Sequence, residues 1–182
     1  VDQQAVSCPA SPIGSVPPCS GLLDADQKFE TTTVTLKNTA FFETGRIAHD
    51  LTTGIEYINR ERANAFAAPG GEDDRWAIFA VDEIAIGDAW TVTPAIRYES
   101  SEITGSTPPN DGSFSNDALM GGLSVRYAFD SGLAVFGSAA YTEVMPPIDD
   151  LEFPERIDRT EKSRTYELGV SYDRQGVIRD AD

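Results

Sequence analysis

Residues able to do chemistry are few in this chain and widely spaced. His49 is the only histidine among 182 residues that carry 30 acidic and 14 basic side chains. It lies in Arg46-Ile47-Ala48-His49-Asp50, close to a short turn, and reads there as a structural strand-end residue. Asp149, Asp150 and Glu152 could attract a divalent ion, because hard cations take carboxylate oxygens. They lack the Asp-x-Asp-x-Asp-Gly register of a calcium loop and read as solvated loop charge, as do Glu72, Asp73 and Asp74. One histidine and no Gly-x-Ser-x-Gly elbow give no nucleophile–base pair. No enzyme, catalytic residue, metal site or cofactor is expected. Cys8 and Cys19 bracket a segment containing Pro9, Pro12, Pro17 and Pro18. Two cysteines without a neighbouring histidine make a poor zinc site, which needs four ligands. A disulfide closing a surface loop is the better reading; it implies an oxidising compartment and a contribution on the order of 3 kcal/mol. The alternative is two unpaired thiols in a tail.

The elements that would position such residues read as strands. Trp76 to Glu99 forms two of them, joined by a tight turn at Gly87–Asp88. In the second, Trp90, Val92, Pro94, Ile96 and Tyr98 share one face, and Thr91, Thr93, Ala95, Arg97 and Glu99 share the other. The apolar face carries an aromatic ring at each end, as in the aromatic girdles that frame the lipid-facing band of outer-membrane barrels. Eight strand steps of roughly 3.3 Å span about 26 Å, close to the height of that band.

The same rhythm runs along the chain. A strand at about Phe29 to Phe42 places Val34, Leu36, Ala40 and Phe42 opposite Thr33, Thr35, Lys37 and Thr39. After a turn at Glu43–Arg46, a strand from Ile47 to Arg60 aligns Ile47, Leu51, Ile55 and Tyr57. Polar connections are expected at residues 61–75, 100–117 and 144–162, alternating with turns of a few residues such as Asp130-Ser131-Gly132. Between them lie strands at Leu119 to Phe129, Leu133 to Glu143 and Arg164 to Asp173, and no helix is expected. Short turns alternating with loops of more than ten residues fit a membrane barrel, with periplasmic turns and extracellular loops, better than a compact sandwich. The expected fold is all-β, an antiparallel meander of about seven to eight strands forming a curved barrel segment. Residues 1–28 would be an outer loop and 29–182 the partial barrel. Arg97 and Arg126 would line the lumen, as ligand contacts or as partners of neighbouring carboxylates.

A net charge of −16 and a pI near 4.3 exclude phosphate-driven nucleic-acid binding. The mean hydropathy is −0.28, and no apolar run approaches the ~20 residues of a membrane helix, a test to which alternating strands are blind. The N-terminus has no signal-peptide pattern and the C-terminus stops where a further strand begins, so both ends are expected to be cut.

Three stretches make the chain similar to the barrel of a TonB-dependent outer-membrane receptor. The first resembles that family's hairpin through Phe79, Asp82, Glu83, Trp90, Thr93, Pro94, Arg97, Tyr98 and Glu99. The second resembles its aromatic strand end and following loop through Tyr141, Pro146, Pro147, Leu151 and Phe153; the third is Tyr166-Glu167-Leu168-Gly169. The resemblance covers about Phe29 to Arg174. It implies the outer membrane of a Gram-negative bacterium, contact with membrane lipid, and, through a full-length parent, a ferric chelate or haem as ligand and TonB as partner. The ligand-binding residues are unknown. Some haem-importing members use histidine as an iron ligand, a role the position of His49 does not favour. A small self-contained outer-membrane barrel with a structural or adhesive role would instead pair the first strand with the last. A soluble sandwich would bury Trp90, Val92, Ile96, Leu123 and Val125. The leading reading makes a band of Leu119, Leu123, Val125 and Tyr127 with Val92, Ile96, Leu168 and Val170. Thr91, Thr93, Arg97, Ser124 and Arg126 should point the other way.

Overall fold

The computed structural model describes residues 28–63, 70–106, 111–152 and 154–172. Seven strands follow one another: β1 Phe29–Thr44, β2 Ile47–Arg62, β3 Gly71–Ile86, β4 Trp90–Gly105, β5 Ser113–Ala128, β6 Leu133–Val144 and β7 Glu161–Tyr172. They form one antiparallel sheet in the order β1-β2-β3-β4-β5-β6-β7. β-Branched residues favour this pleated backbone, and β1 carries the run Thr31, Thr32, Thr33, Val34 and Thr35. The turns after β1, β3 and β5 each hold a glycine in the left-handed region, Gly45 (φ 70°), Gly87 (φ 59°) and Gly132 (φ 84°). A side chain at any of these would strain the hairpin.

The β1–β2 ladder runs unbroken from Phe29–Arg62 to Thr44–Ile47. Between β3 and β4 the pairing lapses only opposite Asp82 and Glu83, where Pro94 has no N–H to give. The β5–β6 ladder stops at Gly121–Tyr141, so the first part of β5 has no ladder to β6. No ladder joins β1 to β7. The open order disagrees with a self-contained barrel closed by those two strands.

Register fixes the two faces, because directly paired residues point the same way. Val34 aligns with Tyr57 and Trp76, Leu36 with Ile55, Ile78 and Tyr98, and Val92 with Val125 and Gly137. Val135 and Gly137 carry the face on to Val170 and Leu168. This apolar face is uncovered: Trp90, Ile96 and Leu123 are 47, 55 and 48 % exposed, which removes the sandwich reading. Thr91, Thr93, Arg97, Ser124 and Arg126 point to the opposite face, as the alternation requires.

Several boundaries differ from the sequence expectation. β3 starts at Gly71 and β5 at Ser113, so two connections shrink to residues 63–70 and 106–112. Glu72, Asp73 and Asp74 are therefore strand residues, not solvated loop charge. Asp73 is 1 % exposed. Strand pairing persists there although both faces are polar, so the apolar alternation that marks a strand in sequence has faded. The long connection between β6 and β7 contains a 3-10 turn at Ile148–Glu152 and a helical turn, α1, at Pro154–Ile157, where no helix was expected. Among the described residues no helix is long and apolar enough to cross a membrane, which says nothing about strands. The Cys8–Cys19 pairing lies outside the described residues.

The β6–β7 connection folds back onto the sheet. Ile148, Leu151 and Ile157 are fully buried against Ile103 of β4, with Phe114 of β5 packed alongside. Ile103 and Phe114 are directly paired on the polar face, so the connection caps that face at the end away from the short turns.

Candidate functional site

The polar face gathers the charged side chains of β2, β3 and β4 into one network. Arg97 of β4 lies directly opposite Phe79 of β3, which lies opposite Gly54 of β2. With no side chain at Gly54, the Phe79 ring lies down over β2; a Cβ built there would meet the ring at 2.4 Å. The Arg97 guanidinium sits 5.9 Å from the centre of that ring, a cation–π distance. Its Nη2 donates to Glu56 Oε1 at 2.7 Å and to Glu99 Oε2 at 2.9 Å, and its Nε donates to Glu99 Oε2 at 3.0 Å. Glu56 and Arg97 are two strands apart. They meet because the residue between them, paired with both Glu56 and Glu99, is the small Ala77.

A second arginine extends the network towards the cap. Arg75 donates through Nε to both oxygens of Asp73, at 3.0 and 2.8 Å, and its Nη1 lies 3.8 Å from Glu99. Ser101 Oγ donates to Asp73 Oδ1 at 3.0 Å, which satisfies the buried carboxylate further. Arg75 Nη2 also donates to the Pro146 carbonyl at 2.9 Å, and Asn116 Nδ2 donates to the Ile157 carbonyl at 2.9 Å. Arg62 Nη1 donates to Asp149 Oδ1 at 2.8 Å. Side chains of β2, β3 and β5 thus tie the cap down.

Glu56, Glu99 and Asp73 face Arg97 and Arg75, three carboxylates to two guanidiniums, so the network carries one net negative charge. It is a set of fixed donors and acceptors able to hold a polar surface. Among the described residues no group of three or more metal-ligating side chains occurs. Asp149 is engaged by Arg62 instead. Arg126 shares the face with Arg97 and is exposed.

His49 sits elsewhere. It lies on the apolar face of β2, opposite Phe42 of β1 and Ile84 of β3. Its ring stacks on Phe42 at 4.6 Å and 7°, and Nδ1 donates to Asp82 Oδ2 at 2.8 Å. Asp82 Oδ1 is buried without a hydrogen-bond partner. A histidine so placed cannot reach a ligand on the polar face.

Sequence reading found Arg97 and its likeness for carboxylates, took Asp73 for loop charge, and missed Arg75, Ser101 and Glu56. Counting alternate residues from Arg97 and Phe79 would have found all of these but Glu56, which lies on β2. Glu99 and Ser101 follow Arg97 by twos, and Arg75 and Asp73 precede Phe79 in the same way.

Comparison with known proteins agrees with this architecture. No protein of curated function matches the sequence. The family described as TonB dependent receptor-like, beta-barrel, matches residues 14–178. Among solved structures, the ferric citrate transporter FecA in its unliganded form is 21 % identical with a TM-score of 0.66, covering 82 % of this chain and 26 % of that one. The ferric-catecholate import receptor Fiu from E. coli K12 is 18 % identical with a TM-score of 0.68, covering 83 % and 30 %. The siderophore receptor PiuA from Acinetobacter baumannii is 14 % identical with a TM-score of 0.65, covering 81 % and 29 %. At these identities the likeness is one of fold, and the chain spans less than a third of the length of each structure. On the match over residues 14–178, the chain belongs to the TonB-dependent receptor-like β-barrel family.

Proposed function

We propose that this chain is a wall segment of an outer-membrane receptor that imports ferric siderophores, driven through TonB, and that it performs no catalysis. The observation that carries the reading is the continuous uncovered apolar face from Val34 to Leu168, backed by a polar face of paired charges. Lipid stabilises apolar surface on the outside of a barrel, whereas a watery lumen tolerates Arg, Glu and Thr. The rings support the same orientation. Trp90, Tyr127 and Phe129 cluster near the short turns, with centroids 4.6–4.7 Å apart, and Tyr57 and Trp76 meet at 4.5 Å towards the loop end. A 16-residue strand is about 53 Å long and, tilted by roughly 40°, rises about 40 Å, well beyond a lipid-facing band of about 25 Å. The excess places the cap and the Asp73–Arg75 end of the network above the bilayer, on the side from which a ligand enters. The two other barrel edges, β1 and β7, would pair with further strands of the same receptor.

The test is uptake by cells expressing the full receptor gene under iron limitation. Iron-55 delivered as ferric citrate, as a ferric catecholate or as haem is compared in cells with and without TonB. Accumulation of at least one siderophore complex that disappears without TonB supports the reading. Uptake of haem alone, or TonB-independent uptake of every complex, overturns it.

A further inference from the structure

The buried Asp73 carboxylate fixes Arg75, its neighbour two residues along the same face of β3. Arg75 Nε lies 3.0 and 2.8 Å from the two carboxylate oxygens and Nη2 lies 2.7 Å from Oδ2, so the guanidinium plane is pinned against Asp73. Ser101 Oγ holds the same carboxylate from β4 at 3.0 Å. A guanidinium is a rigid fork, and pinning its plane decides where its remaining hydrogens point. One of them goes from Nη2 to the Pro146 carbonyl, 2.9 Å away.

Pro146 stands where the cap begins. β6 ends at Val144, and Met145 and Pro146 are buried. The Pro146 ring fixes its φ and Pro147 restricts its ψ, so this stretch is stiff. Holding one carbonyl of a stiff dipeptide aims the whole connection that leaves it. The Arg62–Asp149 and Asn116–Ile157 bonds act further along, where the direction is already set. The other side of the cap meets solvent: the side chains of Asp149, Asp158 and Arg159 are 59, 63 and 77 % exposed.

We propose that Arg75 is a positioning residue for ligand capture: it touches no ligand, and it sets the affinity of uptake by aiming the β6–β7 connection over the polar face. A connection already in place gives up little conformational freedom when a ligand arrives. One that swings from Val144 must be ordered as the ligand binds, and binding is weaker by that cost. Lysine cannot replace Arg75 in this role. Its ammonium can face Asp73 as a point charge, but it lacks the planar fork that serves Asp73 and Pro146 together.

The role rests on the reading of this chain as receptor wall with its loop end towards the entering ligand, and the experiment separates the two. Initial rates of iron-55 uptake are measured against concentration in cells expressing the full receptor, with ferric citrate and a ferric tris-catecholate as probes. Arg75→Lys keeps a cation beside the buried Asp73, so the sheet folds while the fork is lost. Its half-saturating concentration should rise about tenfold, the size expected when a charge-assisted hydrogen bond is lost, with the maximal rate unchanged. Without any ligand, protease should cut within residues 145–160 faster than in the parent. Tyr57→Phe, which removes a 2.6 Å bond to Asp74 from the other face of β2 and β3, should behave as the parent in both assays. An unchanged half-saturating concentration in Arg75→Lys, a fall in maximal rate alone, or an equal rise in Tyr57→Phe overturns the positioning role while leaving the receptor reading intact. A parent that imports neither complex sinks that reading and the role with it.

Discussion

Ile157 and Leu168 are both aliphatic and close in sequence, yet Ile157 is sealed within the cap and Leu168 is 92 % exposed on β7. The cap is held as a soluble domain is held: Ile103, Ile148, Leu151 and Ile157 exclude water, and hydrogen bonds from Arg75 and Asn116 fix its backbone. The band of strands has no such core. Its cohesion comes from backbone ladders, from rings laid over glycines such as Phe79 on Gly54 and Phe136 on Gly169, and from ion pairs across strands. Its apolar side chains lie on an uncovered face. On the reading proposed above, one chain would use hydrophobic burial twice, inwards at the cap and outwards against lipid.

Four substitutions in the full receptor would break or sharpen that contrast. Leu151→Ala empties a sealed position and should cost about 4 kcal/mol locally, freeing the cap while leaving the strands intact. Protease cleavage within residues 145–160, read against unchanged heat-modifiability of the barrel, checks this; a barrel that loosens equally would erase the distinction. Val125→Arg should cost about 3 kcal/mol in folding into bilayers if the residue lies near the midplane, whereas Ser124→Arg on the other face should be far milder. Equal costs at the two sites would reverse or abolish the assigned faces.

His49→Leu should destabilise by about 2 kcal/mol, because it strands the partly buried Asp82 carboxylate among apolar side chains. Adding Asp82→Leu should recover most of that loss, and a double variant as weak as the single one would show that the pair was not the cause. The smallest effect is expected at Gly54→Ala, about 1–2 kcal/mol, since the methyl group must displace the Phe79 ring. Loss of the ring's packing should also move Arg97, and a structure of the variant with both unchanged would refute the role given to Gly54.

The band was legible in the sequence because its two faces differ in polarity. One uncovered apolar face and one polar face impose strict alternation, so Trp90 to Glu99 announces its faces residue by residue. The short turns were legible through Gly45, Gly87 and Gly132. Where the outward residues turn polar and the inward ones are covered by the cap the signal vanishes, which is why Gly71–Arg75 and Ser113–Ala118 looked like loop although they continue β3 and β5. The cap was hidden for another reason. Its helical turns are too short to show a period, and Ile103 and Phe114, its counterparts on the sheet, lie far from it in the chain. The Arg97 network was half visible: the arginine stood out, but its partner Glu56 is reached across Ala77, a contact that only register reveals.

The strictly sequential order of the sheet has a consequence for how the molecule is assembled. Every ladder joins neighbouring strands, and the β1–β2, β3–β4 and β5–β6 hairpins can each zip from a glycine turn at the entropy cost of a short closure. The Arg62–Asp149 bond is different: it joins residues 87 positions apart and spans β3 to β6. It can form only after those intervening strands have found their places. Docking of the cap is therefore a late step, and its closure reports that the strands between Arg62 and Asp149 are in register.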